Sequence, residues 1–164
     1  MSAPKKLRYS SFGLTFGSNV RWAQGDSERC KEIFKRMSDA CADLFDRQGI
    51  TKYILYEEGS QADLVKVDCC YTTSIGEAIG HIHSHAYLHI THHAKLKLNF
   101  DGLRSLLMKH LSPAGVKGVH LNNKVLRAKS DRIKWLRYLE AQSHDRLDIG
   151  LFVKLDKDTG GDDD

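Results

Sequence analysis

The spacing of apolar residues along the chain changes repeatedly between the two-residue period of strands and the 3.6-residue period of helices. Phe12, Leu14 and Phe16 alternate with smaller or polar residues, and an apolar stripe at helical spacing follows between Ser27 and Gly49. In chain order, the predicted elements are a strand at 7–17, a helix at about 27–48, strands at 51–57 and 64–71, a loop at 72–80, a strand at about 81–91, a helix after Phe100 that ends at Pro113, a strand or hairpin at 116–128, a helix at 131–142 and a short strand at 149–155.

This order of elements predicts an α+β fold, with a ferredoxin-like central antiparallel sheet, helices on one face and an open histidine-bearing face on the other. We expect one domain over residues 1–155 and a disordered acidic tail over 156–164, where Asp and Gly dominate. No apolar run approaches the roughly 20 residues of a membrane-spanning helix, so we expect no membrane partner. The four cysteines form no CxxC pair, which favours reduced thiols in a nuclear or cytoplasmic protein.

The predicted strand at 81–91 carries the most distinctive chemistry, because six of the nine histidines lie between residues 81 and 93. Alternation puts His81, His83, His85, Tyr87 and His89 on one face, and small or apolar residues on the other. Neighbouring imidazoles on that face are about 6.6 Å apart, so two of them can bend toward one divalent cation. A solvated face or a nucleic-acid surface is the alternative interpretation, but the backing apolar face favours a metal site.

A divalent cation needs a further ligand besides two imidazoles, and a mixed nitrogen and oxygen site suits Mn²⁺ or Mg²⁺ acting on phosphate. Glu57 is the preferred third ligand, because its strand is expected to lie beside the histidine strand. Glu77 is an alternative in the loop before the histidine strand, and Glu58 would point away from the site.

Positive charge is concentrated in residues 95–138, which carry eleven basic and two acidic residues. Such a block predicts a polyanionic partner, and nucleic acid is the usual one. The expected backbone contacts are Arg127, Lys129, Arg132 and Arg137. The expected stacking surfaces for bases are Trp135 and Tyr87, with Arg21 and Trp22 as a weaker pair.

The last predicted helix carries Tyr138 one turn from Lys134 and one turn from Gln142. A tyrosine in this position is ordinarily an aromatic residue that covers a sheet. If the helix folds back over a metal-bearing face, however, the phenol can attack a bound phosphate, and Lys134 would favour the phenolate. Tyr138 is therefore the candidate nucleophile, and Tyr9 is a remote competitor.

Three motifs in order, Phe12-Gly-Leu-Thr-Phe16, His83-Ser84-His85 and Tyr138, make residues 8–142 resemble the HUH endonucleases, which nick single-stranded DNA with a tyrosine. The position of the tyrosine after the histidines resembles viral, plasmid and transposon replication initiators. The resemblance implies a Mn²⁺- or Mg²⁺-dependent nickase and strand transferase with a 5′-phosphotyrosyl intermediate. It also implies an origin or transposon end as the DNA, and a fused or separate helicase as a partner.

The chain departs from the family pattern at two places. Ser84, between His83 and His85, stands where the family has a hydrophobic residue. The overlapping pair His81 and His83 encloses the hydrophobic Ile82, so His81 is either a helper or an alternative ligand. Ala141 and Gln142 stand at the two positions, three and four residues after the tyrosine, where the family often has a lysine. The rival functions are a noncatalytic single-stranded nucleic-acid-binding module and a zinc-structural protein, and the absence of short-spaced Cys ligands counts against the latter.

Overall fold

The computed structural model describes residues 6–21, 27–57, 63–75 and 81–142, which form an α+β fold. The strands are β1 (Arg8–Arg21), β2 (Ile54–Tyr56), β3 (Leu64–Ile75), β4 (His81–His92), β5 (Leu96–Leu98) and β6 (His120–Val125), and the helices are α1 (Ser27–Cys41), α2 (Phe100–Leu111) and α3 (Lys129–Gln142). Four strands form an antiparallel sheet in the order β3-β4-β1-β6, and β2 pairs with β5 separately. This order is consistent with a ferredoxin-like βαββαβ arrangement.

One face of the sheet forms the main core, as the alternation in β1 and β4 predicts. Leu14, Phe16 and Ile82 are completely buried on this face, together with Ile33 and Met37 of α1. Helix α2 adds its own buried leucines to the same core, because its apolar residues recur at helical spacing. Asn99 begins α2 by accepting a hydrogen bond from the backbone N–H of Gly102.

The opposite, histidine-bearing face is covered in part by α3, so the expectation of an open face is wrong for that region. Leu136 and Leu139 of α3 are buried in a second, smaller cluster with Tyr87 of β4 and Leu126. The cause is the apolar side of α3, which would otherwise remain exposed to water. This packing brings the helix with the candidate nucleophile onto the sheet face that carries the histidines.

The end of the strand predicted at 7–17 is wrong, because β1 continues past Gly17 to Arg21 through a register shift. Asn19 absorbs the irregularity with a φ of 59°. The Ser18 hydroxyl donates a hydrogen bond to the carbonyl of Ile82 at 2.8 Å, which keeps this part of β1 attached to β4. The hydrogen bond of Ser18 therefore stabilises strand pairing at Gly17-Ser18-Asn19, a sequence that ordinarily forms a turn.

The first helical segment ends earlier than predicted, and the strand after it is shorter. A π-helical turn (Ala42–Asp46) follows α1, and a 3₁₀ helix (Gly49–Tyr53) occupies the start of the predicted strand at 51–57. Gln48, with a φ of 55°, takes the left-handed conformation between the two helical turns. Gly49 is required at the next position, because a Cβ there would lie 2.5 Å from the backbone oxygen of Asp43.

The loop predicted at 72–80 is wrong at its start. Residues 72–75 belong to β3 and extend its pairing with β4. Of the two alternatives for 116–128, a strand or a hairpin, the structure shows a strand over His120–Val125, which runs through Asn122 and Asn123 and pairs with β1.

The predicted strand at 149–155, the predicted tail at 156–164, and the side chains of Trp22, Glu58 and Glu77 lie outside the described residues. Among the helices that are described, none has the length and apolar character needed to span a membrane.

Candidate active site

The histidine-bearing face is a regular grid of polar and small residues in three rows, because the antiparallel register aligns β3, β4, β1 and β6. Partners in register share a face, and each row therefore crosses all four strands. From β3 to β6, the rows are Ser74, His83, Gly17 and His120; Thr72, His85, Thr15 and Asn122; and Cys70, Tyr87, Gly13 and Lys124. The two glycines of β1 allow close approach from neighbouring residues, because a Cβ would lie 2.6 Å from the indole of Trp135 at Gly13 and 3.3 Å from Cβ of His120 at Gly17.

His83 and His85 approach each other closely on this face. Their ring centroids are 4.6 Å apart and the rings meet edge to face at 79°. This separation is shorter than the spacing of about 6.6 Å that an ideal strand gives to residues two apart. The two imidazoles therefore lean together, as a pair that shares one ligand would have to do.

His85 is 5% exposed, and its two ring nitrogens have different surroundings. Nδ1 lies 3.0 Å from Oγ1 of Thr15, whereas Nε2 is buried and has no hydrogen-bond partner among the described residues. Burial, and then the nearby His83, lower the pKa of the His85 imidazole to about 4. The ring is therefore neutral at pH 7, and a Nδ1–H that donates to Thr15 leaves the Nε2 lone pair free.

His83 is held by hydrogen bonds at both ring nitrogens. Nδ1 lies 2.8 Å from the backbone oxygen of His81, and Nε2 lies 3.3 Å from Oγ of Ser74. A carbonyl only accepts, so Nδ1 carries a proton and donates it to His81. The role of His81 that the structure describes is thus to orient the ring of His83 through its carbonyl, in the manner of residues that support metal ligands.

Helix α3 adds two aromatic residues to the pair of histidines. The ring of Tyr138 lies 4.9 Å from that of His85, and the ring of Trp135 lies 5.7 Å from it, measured between centroids. The indole N–H of Trp135 donates to the backbone oxygen of Ala86 at 2.9 Å, which ties α3 to β4. Gly13 makes this contact possible, because a Cβ there would lie 2.6 Å from the indole ring.

Tyr138 is partly accessible, with 43% of its surface exposed, although its ring contacts the buried His85. It therefore has access both to the histidine pair and to a ligand on the surface. Lys134, one turn earlier on α3, is exposed. The side chain of Gln142 lies outside the described residues.

The residues present fit a divalent cation in part. The buried Nε2 of His85, which has no hydrogen-bond partner among the described residues, is the kind of atom that a metal ion would satisfy, and the ring of His83 lies 4.6 Å from that of His85. Within residues 6–21, 27–57, 63–75 and 81–142, however, no three His, Cys, Asp or Glu side chains come together as a metal-binding group.

The structure does not bring Glu57 to the histidine pair. Its strand, β2, pairs with β5 in the separate two-stranded sheet, so the expectation that it lies beside the histidine strand is wrong. The backbone N–H of Glu57 donates to the carbonyl of Lys95, beyond the far end of β4. The neighbours of β4 are β1 and β3 instead, and Glu77, in the connection from β3 to β4, lies outside the described residues.

The predicted DNA contacts divide into buried and exposed residues. Arg132 is 3% exposed and donates through Nη1 to the backbone oxygen of Arg127 at 2.7 Å, and Tyr87 is 1% exposed. Neither side chain is available to a strand on the surface, so these two expectations are corrected. Arg127 and Arg137 are exposed, and Lys129 is half-buried.

The sequence interpretation missed the residues that orient the histidines. Thr15 was an unremarkable polar residue of the predicted strand at 7–17, and Ser74 fell in the predicted loop at 72–80; only the register shows that they lie opposite His85 and His83. Alternation in the strand at 7–17 did place Thr15 on the face opposite Phe12, Leu14 and Phe16. His120 was missed for a similar reason, because it shares a row with His83 only through Gly17.

Comparison with models of known protein families finds none that matches the chain. Comparison with curated protein sequences finds no match either.

Proposed function

We propose that this chain is a metal-dependent, site-specific nickase and strand transferase of single-stranded DNA, with Tyr138 as the nucleophile. One observation carries the proposal. Helix α3 holds the ring of Tyr138 4.9 Å from His85, whose buried Nε2 has no hydrogen-bond partner among the described residues. A partly exposed phenol beside a pair of imidazoles is an arrangement that suits attack by a tyrosine on a phosphate bound there.

In the proposed reaction, the phenolic oxygen of Tyr138 forms a bond to the scissile phosphorus. The bond from phosphorus to the 3′ oxygen breaks, the phenol proton passes to solvent, and the leaving oxygen takes up a proton to become a 3′-hydroxyl. Attack by a 3′-hydroxyl on the phosphotyrosyl bond reverses these steps and joins the strands. His83 and His85 would hold Mn²⁺ or Mg²⁺, which supplies charge neutralisation at the phosphate oxygens when bound.

The surface around α3 supports binding of a strand. Lys134, Arg127 and Arg137 are exposed, and cations in such positions contact phosphates without reading the sequence. An origin or transposon end as the substrate, a fused or separate helicase as a partner, and a nuclear or cytoplasmic location belong to the same proposal.

The test is to incubate the protein with Mn²⁺ and a degenerate pool of single-stranded oligonucleotides and to separate the products on a denaturing gel. We expect a slowly migrating covalent adduct that disappears in Tyr138→Phe, His83→Ala and His85→Ala. Tyr9→Phe is the matched control, because Tyr9 is 40% exposed, much like Tyr138, and lies near the other end of the sheet.

An adduct that persists in Tyr138→Phe would contradict the assignment of the nucleophile. DNA binding without any adduct, unchanged by removal of the histidines, would favour the noncatalytic nucleic-acid-binding module instead. A strand on the exposed cations of α3 accounts for that function without a metal ion.

A further inference from the structure

A cavity of about 790 Å³ lies at the end of β4 that is remote from His83 and His85. It is lined by residues 6–10, 55–57 and 95–97 together with His92, so it lies between the start of β1 and the two-stranded sheet. His92 lies seven positions after His85 in β4, which corresponds to about 23 Å along a strand. The cavity is therefore separate from the candidate active site, and its volume lies within the range of ordinary ligand pockets.

The charge of this cavity is strongly positive. Lys6, Arg8, Lys95 and Lys97 line it, whereas Glu57 is the single acidic residue of the lining. None of the four cations forms a salt bridge within the described parts of the chain. Four unpaired like charges around one cavity repel one another, and an anion bound between them would relieve that repulsion.

The same cavity has exposed apolar surface beside the cations. Leu7, Tyr9 and Leu55 are 42%, 40% and 40% exposed and line the cavity, and they make up half of the six large hydrophobic side chains that are exposed among the described residues. Cations next to exposed apolar and aromatic surface match a ligand that has an anionic part and a flat, weakly polar part. A simple inorganic anion would leave the apolar surface unused.

The wall formed by His92 is rigid and uncharged. Its Nε2 lies 2.8 Å from Oγ of Ser10, and its Nδ1 lies 2.6 Å from the backbone oxygen of Ala94. Both ring nitrogens are therefore engaged, and burial lowers the pKa of the imidazole. His92 thus shapes the cavity, and the lysines and Arg8 remain as the groups that can bind an anion.

We propose that this cavity is a second ligand site that binds a nucleotide, with its phosphate between Lys95, Lys97 and Arg8 and its base against Leu55 and the neighbouring exposed apolar residues. The nucleotide is either free or part of a single strand, since both present the same phosphate and base. The inference does not depend on nicking, because no residue of the candidate active site lines the cavity.

The test is a ¹H–¹⁵N NMR titration of the full chain with three probes: thymidine monophosphate, thymidine and pentathymidylate. We expect thymidine monophosphate to shift the backbone amides of residues 6–10, 55–57 and 95–97, and thymidine to shift them far less. The double variant Lys95→Ala/Lys97→Ala should weaken binding about tenfold or more, since it removes two charged contacts to phosphate. Leu55→Ser should also weaken it, because the base loses apolar contact.

The matched control is Lys109→Ala/Lys117→Ala, which removes two exposed lysines outside the cavity and should leave binding unchanged. The spectra of all variants also report whether the fold is retained. Tighter binding of pentathymidylate than of the monophosphate would assign the site to a DNA strand, and equal or weaker binding would assign it to a free nucleotide.

The proposal is overturned if neither phosphate probe shifts the amides that line the cavity, if thymidine binds as well as its monophosphate, or if the control variant loses as much affinity as Lys95→Ala/Lys97→Ala. Shifts in the cavity of a protein that forms no covalent DNA adduct would support this inference while contradicting the nickase proposal. The two proposals are therefore distinguishable.

Discussion

Replacement of Gly13 by alanine tests how α3 is held on the histidine-bearing face. An added Cβ would lie 2.6 Å from Cε2 and 2.8 Å from Cδ2 of Trp135, which is closer than carbon atoms approach in folded proteins. The contact is with a rigid indole ring, so relief requires a movement of Trp135 and of the helix that carries it. Gly13→Ala should therefore weaken the docking of α3 and displace Tyr138 from His85.

The expected cost has two parts. Insertion of a methyl group into a packed contact costs about 1–3 kcal/mol. Movement of the indole also breaks the hydrogen bond from Trp135 Nε1 to the oxygen of Ala86, at 2.9 Å, which contributes about 0.5–1.5 kcal/mol. We therefore expect the free energy of unfolding to fall by about 1.5–4.5 kcal/mol.

The assay is urea unfolding followed by circular dichroism and by tryptophan fluorescence, in a Trp22→Phe background so that Trp135 alone reports. Gly118→Ala is the matched control, because a Cβ at Gly118 meets nothing within 4 Å. A second check is the cycle with Trp135→Leu, in which Gly13→Ala should cost much less. The reasoning is refuted if Gly13→Ala and Gly118→Ala have the same midpoint of unfolding and the same fluorescence spectrum.

Three further predictions concern the buried polar groups. Thr15→Val should lower the free energy of unfolding by about 0.5–1.5 kcal/mol, because it removes the partner of His85 Nδ1. Thr91→Val removes a buried hydroxyl without a partner among the described residues and should be neutral or stabilising. Urea unfolding of both variants checks this, and equal losses would contradict it. Arg132→Ala should destabilise by about 2–4 kcal/mol, since it removes the donor to the backbone oxygens of Leu126 and Arg127. Arg137→Ala at an exposed position should change stability by less than about 0.5 kcal/mol; thermal unfolding compares the two variants, and a small effect of Arg132→Ala would show that the contact contributes little. The pKa of His85 is about 4 in the folded protein and 6.5 ordinarily, so the unfolded chain binds more protons between these two pH values. The free energy of unfolding should therefore fall by up to about 3 kcal/mol as the pH drops from 6.5 to 4. Urea unfolding across this range should show a smaller loss for His85→Gln, and an identical loss would contradict the assignment.

Local sequence patterns predicted the individual helices and strands better than they predicted which strands pair with one another. The histidine strand, α2 and α3 follow their predicted ranges closely, because strict alternation and helical spacing are local properties of the chain. The choice of Glu57 as a metal ligand failed for the opposite reason. Whether β2 pairs with β4 or with β5 depends on long-range packing that no single segment specifies.

The candidate site shows the same division between local and long-range information. The shared face of His83 and His85 followed directly from alternation, and the geometry confirms that the two rings meet. Thr15 and Ser74 could not be recognised, because the role of each depends on the register between two strands. Thr15 lies 70 residues before His85 in the chain, and Ser74 lies 9 residues before His83. Arg132 was misassigned because a long basic side chain that caps backbone carbonyls looks, in sequence, like one that contacts DNA.

The most direct test of the central claim is to map the covalent bond itself. The protein would be incubated with Mn²⁺ and a cleavable single-stranded oligonucleotide selected from the pool, digested with trypsin and nuclease, and analysed by tandem mass spectrometry. We expect a nucleotide phosphate attached to the peptide that contains Tyr138, and no such modification in His85→Ala. A phosphate found on another residue, or cleaved DNA with no modified peptide at all, would contradict it.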